Sequence, residues 1–233
     1  MADSTPPEIK PSLSERDKEL IGRHKTVKEE YAPGTKRGQE WAEMTPVSLK
    51  TAEEIAETII FANILPAPLN PQDVLVLVSL SSNVGINERV LAEKLGNSYK
   101  VIAGDVADVQ RLPSGATPMR FDASFLPFKE NSIAAMTDFQ GAIWHEAFED
   151  LTKGYNQKTE ADNLIDIFAR LKPSLREGGV IIVDDPEHFL LAMIGTTSKI
   201  DQILTLTGEK IEGFEVSTIG EGNRRLRVYK KVT

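Results

Sequence analysis

The side chains best suited to chemistry in this sequence follow apolar runs, where strands would present them at an edge. Asp105 closes the run Lys100-Val-Ile-Ala-Gly104, Asp122 lies within Arg120-Phe-Asp-Ala-Ser-Phe-Leu-Pro-Phe128, and Asp138 follows an apolar segment and precedes Phe139. A carboxylate offers two acceptor oxygens and no donor, which matches a ligand with paired donors such as a vicinal diol or an amino group. His145, in Trp144-His145-Glu146, is the candidate general base, since an unperturbed imidazole titrates near pH ~6.5. A histidine on a helix face is the competing reading of the same residue. Asp184, Asp185 and His188 invite a metal reading, but acids gathered at a helix start are the commoner explanation, and no metal is assigned.

Composition narrows the chemistry further. The sequence has no cysteine, which excludes thiol nucleophiles, disulfides, zinc-thiolate sites and iron-sulfur ligation. The net charge of -8 argues against a surface that neutralises many phosphates, so a nucleic-acid partner is not expected. Residues 1–50 hold nine basic and nine acidic residues, so the whole excess of negative charge lies after Lys50, in the expected catalytic body. No apolar stretch approaches the ~18 residues of a membrane span, and the first residues show neither an apolar targeting region nor a cleavage pattern. The expected location is cytoplasmic, with no membrane contact.

The elements that must position those residues follow from periodicity. Residues 1–15, rich in Pro, Ser and charge, read as a disordered tail, and 16–50 as a small lid-like helical segment with Tyr31 and Trp41 as aromatic anchors. Thr51 and Glu54 form a capping-box pattern, and apolar residues at helical spacing predict a helix over 51–65, ended by Pro66 and Pro68. Residues 73–79 are a continuous apolar run, the pattern of a buried parallel strand. A loop over 81–87, a helix over 88–95 closed by Gly96 and a strand over 100–104 complete a β-loop-α-β unit. Further strands are predicted over 117–121, 133–139 and 180–184, and a helix over 160–171. Asp185-Pro186 predicts another helix start. Residues 214–219 and 224–232, joined by Gly220-Glu-Gly-Asn223, read as a terminal hairpin. The basic residues of 224–231 alternate with apolar ones, which predicts a solvated face.

This order resembles the class I S-adenosylmethionine (SAM) dependent methyltransferases, type 11-like, over residues 51–233. The resemblance implies a Rossmann-like α/β fold: a seven-stranded, mostly parallel sheet with an antiparallel C-terminal hairpin and helices on both faces. Counting back from Leu91-Ala92 places Ser79 at the family's first-strand acid, and Ser81, Asn83 and Gly85 at its three glycines, so only the last glycine is kept. By the same resemblance Asp105, followed by Val106, takes the ribose hydroxyls, and Asp122, followed by Ala123, faces the adenine amino group. Asp138 and Phe139 then border the cofactor, although Asp138 also reads as a strand-end residue facing solvent. Leu171-Lys-Pro-Ser-Leu-Arg-Glu-Gly-Gly-Val180 is similar to the family's turn before the fifth strand.

The expected function is methyl transfer from SAM to an oxygen or nitrogen of a small-molecule acceptor. Asp138-Phe-Gln-Gly141 stands where methyltransferases of exocyclic base amines carry Asn/Asp-Pro-Pro-Tyr/Phe, which speaks against that substrate class. The replaced glycines motivate an alternative, a catalytically inactive binding or scaffold protein. A nicotinamide-dependent oxidoreductase ranks below both, for want of the Gly-x-Gly-x-x-Gly fingerprint. The acceptor and the oligomeric state are not legible in the sequence.

Overall fold

The structure is a computed structural model and describes residues 29, 35–36, 48–82, 85–105, 115–139, 141–147, 157–184, 211–222 and 225–232, with only the backbone of His145 and of 157–161. The expected tail and most of the lid-like segment lie outside the described residues, as does the helix start at Asp185-Pro186.

Helix α1 (Leu49–Phe61) begins at Ser48, whose side chain accepts from the Thr51 amide at 3.1 Å. The cap therefore lies three residues before the one expected: Ser48-Leu-Lys-Thr supplies the hydroxyl, and Thr51 is already inside the first turn. Ala52, Ala56 and Ile59 recur at helical spacing and form the buried stripe of α1. Strand β1 (Leu75–Ser79) follows the proline-rich connection, which Tyr99 ties down through its hydroxyl donating to the Pro66 carbonyl. Then come α2 (Ile86–Leu95), a single 3-10 turn, β2 (Tyr99–Asp105), β3 (Thr117–Arg120), β4 (Ile133–Asp138), α3 (Ala142–Ala147), α4 (Gln157–Leu171), β5 (Leu175–Asp184), β6 (Phe214–Ile219) and β7 (Leu226–Lys231).

The seven strands form one sheet in the order β3-β2-β1-β4-β5-β7-β6. β1 through β5 pair in parallel, and β7 runs antiparallel between β5 and β6. Each face carries its own core. On one, Val78, Ile102, Met136, Ile181 and Val183 pack with Trp144, Phe168 and Leu171 of α3 and α4. On the other, Leu77, Val101, Ala135 and Ile182 pack with Ala56, Ile59 and Leu91 of α1 and α2. Strands covered on both sides are the reason β1, β2 and β4 read as nearly unbroken apolar runs.

Two expectations need correction. β5 starts at Leu175, five residues earlier than read, because residues 176–179 bulge out between the Ile133 and Ala135 pairings. The basic residues of β7 do not share one solvated face: Lys230 is exposed as expected, but two others are not. Arg227 and Lys231, which share a face with Tyr229, are buried, because β7 is an interior strand and that face lies on the side of the α3/α4 core. The Lys231 ammonium is compensated there by the Leu175 carbonyl at 2.7 Å, Asn131 Oδ1 at 3.2 Å and the Glu177 carboxylate at 3.2 Å. Among the described residues no helix is long and apolar enough to cross a membrane.

Candidate functional site

Strand order reverses between β1 and β4, and in open α/β sheets ligands bind outside the carboxyl ends of the strands at such a point. Ser79 ends β1 there, in register with Ala103 of β2 and Thr137 of β4. Its side chain and that of Thr137 therefore share one face of the sheet, the face of α1 and α2. Both hydroxyls are fully buried, and neither has a hydrogen-bond partner among the described residues. An unsatisfied buried hydroxyl costs about 1–3 kcal/mol, so a neighbouring pair of them marks a place built for another polar group. Asp105 lies two residues beyond Ala103 on the same face of β2 and is 1% exposed.

On the opposite face, a side-chain cluster ties the loop after β1 to α3. Ser81 Oγ donates to Asp138 Oδ1, which also accepts from the Ala142 amide at 3.0 Å, while Asp138 Oδ2 accepts from the Ile143 amide at 2.7 Å. The carboxylate thus meets two of the orphan N–H groups that open α3. Gly141 makes this possible, since a Cβ there would overlap Ser81 Oγ and Asp138 Oδ1 and lie 2.8 Å from Ser81 Cβ.

Burial pushes the Asp138 carboxyl from 3.8 up to about 6; the hydrogen bonds from Ser81, Ile143 and Ala142 pull it down, and the charge of Asp105 adds to the rise. With its folded value above the unfolded one, Asp138 holds its proton more tightly in the native chain. Its contribution therefore favours the fold below 3.8 and is lost as pH rises through about 6. At ~1.4 kcal/mol per unit, this amounts to roughly 3 kcal/mol. Urea titrations of the protein and of Asp138→Asn at pH 5 and pH 7 are expected to show wild type losing stability relative to the variant on going to pH 7. A difference independent of pH would mean that Asp138 titrates as an ordinary carboxylate.

The turn after β3 completes the edge. Asp122 Oδ1 accepts from the Ser124 amide at 2.8 Å, and its carbonyl accepts from the Phe125 amide, so the carboxylate shapes its own turn. Ser124 Oγ donates to Glu146 Oε2 at 3.1 Å, and Glu146 Oε1 pairs with Arg170 of α4. The Trp144 indole N–H lies 3.1 Å from the Asp184 carbonyl and 3.2 Å from its Oδ1, fixing α3 to the end of β5.

No family model and no curated protein matches the sequence. Solved structures do. One is the CurJ carbon methyltransferase, at TM-score 0.51 and 13% identity, with 78% of this chain and 54% of that one covered. The fold is that of a class I methyltransferase. At this identity the likeness is one of fold, and the chain spans about half the length of that methyltransferase. Two further methyltransferases match less well. Geranyl diphosphate methyltransferase in complex with SAM has a TM-score of 0.48 and 13% identity over 86% of this chain and 92% of that one. The 1,6-didemethyltoxoflavin-N1-methyltransferase of Burkholderia thailandensis, with S-adenosylhomocysteine bound, has 0.46 and 13% over 97% and 94%.

Within this methyltransferase fold the sequence-expected residues divide into groups. Ser79, Ser81, Gly85, Asp105, Asp122 and Asp138 all lie at or just beyond the carboxyl ends of β1 to β4. Gly85 is the left-handed N-cap of α2, at φ 79°, a conformation that suits the surviving glycine. Ala123 packs against the α3/α4 core and Phe139 against the α1/α2 core. Asp138 is buried, and its carboxylate serves Ser81 and α3, so it does not face solvent. Asn83, Val106 and the His145 side chain lie outside the described residues, as do Asp185 and His188 of the acidic cluster.

Sequence reasoning missed Thr137, Gly141, Glu146 and Gly104. A Cβ on Gly104 would overlap the Phe121 ring and the Ser79 carbonyl oxygen. The Asp-x-x-Gly spacing before α3 was the one available signal for Gly141.

Proposed function

We propose that the chain is a SAM-dependent methyltransferase that transfers a methyl group to an oxygen or nitrogen of a small-molecule acceptor. The observation that carries this reading is the grouping at the β1/β4 switch point: the buried Asp105 carboxylate on the same face of the sheet as the two unpartnered hydroxyls of Ser79 and Thr137. These donors and acceptors fit a ligand with a diol and further polar groups. Asp105 would hold the ribose hydroxyls, with Ser79 and Thr137 available to the polar groups beside them, and Asp122 would orient the adenine amino group from the turn after β3.

The cofactor, when bound, supplies an electrophilic methyl group. The protein's part is orientation, since in-line displacement needs the acceptor atom and the methyl carbon aligned and close. A base is needed only for an acceptor that must lose a proton, the role assigned to His145 on α3. The course of the Ser81 side chain supports the active reading over a non-catalytic scaffold. Its hydroxyl turns to Asp138, so the departure from glycine is absorbed within the protein at Gly141.

Isothermal titration of the full chain with SAM and with S-adenosylhomocysteine tests the reading, with saturable one-to-one binding expected for both. No heat from either at millimolar concentration would discard it. Binding without methyl transfer to any of a panel of hydroxyl and amine acceptors would favour the scaffold reading.

A further inference from the structure

Helix α3 has six residues, fewer than two turns. Helices this short do not hold together in water on their own, so contacts from outside must set its position. Those contacts come from the site edge and from α4. Asp138 holds the first turn through the Ala142 and Ile143 amides and also takes the Ser81 hydroxyl from the loop after β1. Trp144 reaches the end of β5 at Asp184. Glu146 takes the Ser124 hydroxyl from the turn after β3 and the Arg170 guanidinium from α4.

We propose that α3 holds the loop after β1 and the turn after β3 in one joint arrangement, with Asp138 and Glu146 as its positioning residues. The geometry leaves little slack. Asp138 is 0% exposed, and the space beside it is closed by the bare Cα of Gly141, so α3 cannot slide at its start without breaking the Ala142 and Ile143 bonds to the carboxylate that also takes the Ser81 hydroxyl. At its other end, displacement removes the Glu146 oxygen to which Ser124 donates, and Ser124 is the residue whose amide closes the Asp122 turn. A shift of the helix therefore reaches both loops, which leave strands separated by β2 in the sheet order. That these loops border a cofactor rests on the function proposed above, whereas the coupling is a property of the chain alone.

Amide hydrogen exchange of the ligand-free protein tests it. The reporters are Ser82 and Gly85 in the first loop, Ser124 and Phe125 in the second, and the amides of β1 and β4 as reference for global opening. Asp138→Ala is expected to speed exchange at Ser124 and Phe125, which Asp138 does not touch, by about 2- to 30-fold, the range for coupling carried through a packed network. Glu146→Ala is expected to speed exchange at Ser82 and Gly85 to a similar degree, and Asp138→Asn, which keeps an acceptor oxygen, to restore most of the protection. Variants that each loosen only the loop they touch would overturn the proposal. If Asp138→Ala does not fold, Glu146→Ala decides, with Ser124→Ala as the variant confined to the second loop. Titration with S-adenosylhomocysteine is run in parallel. A protein that shows the exchange pattern but binds nothing loses the proposed function and keeps the coupling.

Discussion

Gly104→Ala is expected to lower stability by about 3 kcal/mol, at the upper end of the usual cost of overpacking a core. The added methyl would overlap two carbons of the Phe121 ring and the carbonyl oxygen of Ser79. The ring has little room to yield: it is buried and meets Phe128 edge-on, with centroids 5.6 Å apart and planes at 87°. The carbonyl belongs to the backbone of β1, which pairs in parallel with β2 on one side and β4 on the other, so moving it strains the centre of the sheet. Gly115→Ala is the control within the same protein. Its Cβ would meet only the Ala92 methyl, at an ordinary 3.4 Å, and the change is expected to stay within ~0.5 kcal/mol. Urea titration reads both, the expected signature being a lower midpoint for Gly104→Ala with an unchanged slope. Equal midpoints would show that β1 and β2 approach each other less closely than described.

Much of this architecture was legible because it depends on local periodicity. The runs at β1, β2 and β4 are mostly apolar, and each ends in a polar residue, so strand identity and the position of Asp105 followed directly. What failed to show depends on contacts between distant residues. Ser81 and Asp138 are 57 positions apart, and nothing in either segment announces that the hydroxyl of one caps the carboxylate of the other. Gly141 looks like a loop glycine until that pair is placed beside it. Arg227 and Lys231 read as exposed because alternation predicts one wet face, whereas the strand order puts β7 in the interior. The cap of α1 was misplaced because Ser48 and Thr51 both precede the same apolar pattern, and only the geometry selects the one whose hydroxyl meets an amide.

Asp105→Asn is expected to weaken SAM binding by about 10- to 100-fold while leaving the fold at least as stable at pH 7. The affinity loss follows from the role proposed for the carboxylate: hydrogen bonds to a charged acceptor contribute about 1.5–3 kcal/mol, and each 1.4 kcal/mol is tenfold in binding. The stability side has an independent origin. The Asp105 charge raises the Asp138 carboxyl, so removing it lowers the cost of keeping Asp138 ionised in the buried latch. The pH window in which wild type loses stability should therefore move down from about 6 in the variant. A residue serving only the fold would lose stability on substitution, and its effect on binding would follow that loss. Opposite signs in the two measurements are expected of a carboxylate kept for a ligand at some expense to the fold. Unchanged affinity in a folded Asp105→Asn would remove Asp105 from the site, yet the shift of the Asp138 window would still be expected, because it depends only on two like charges held near one another at the ends of β2 and β4.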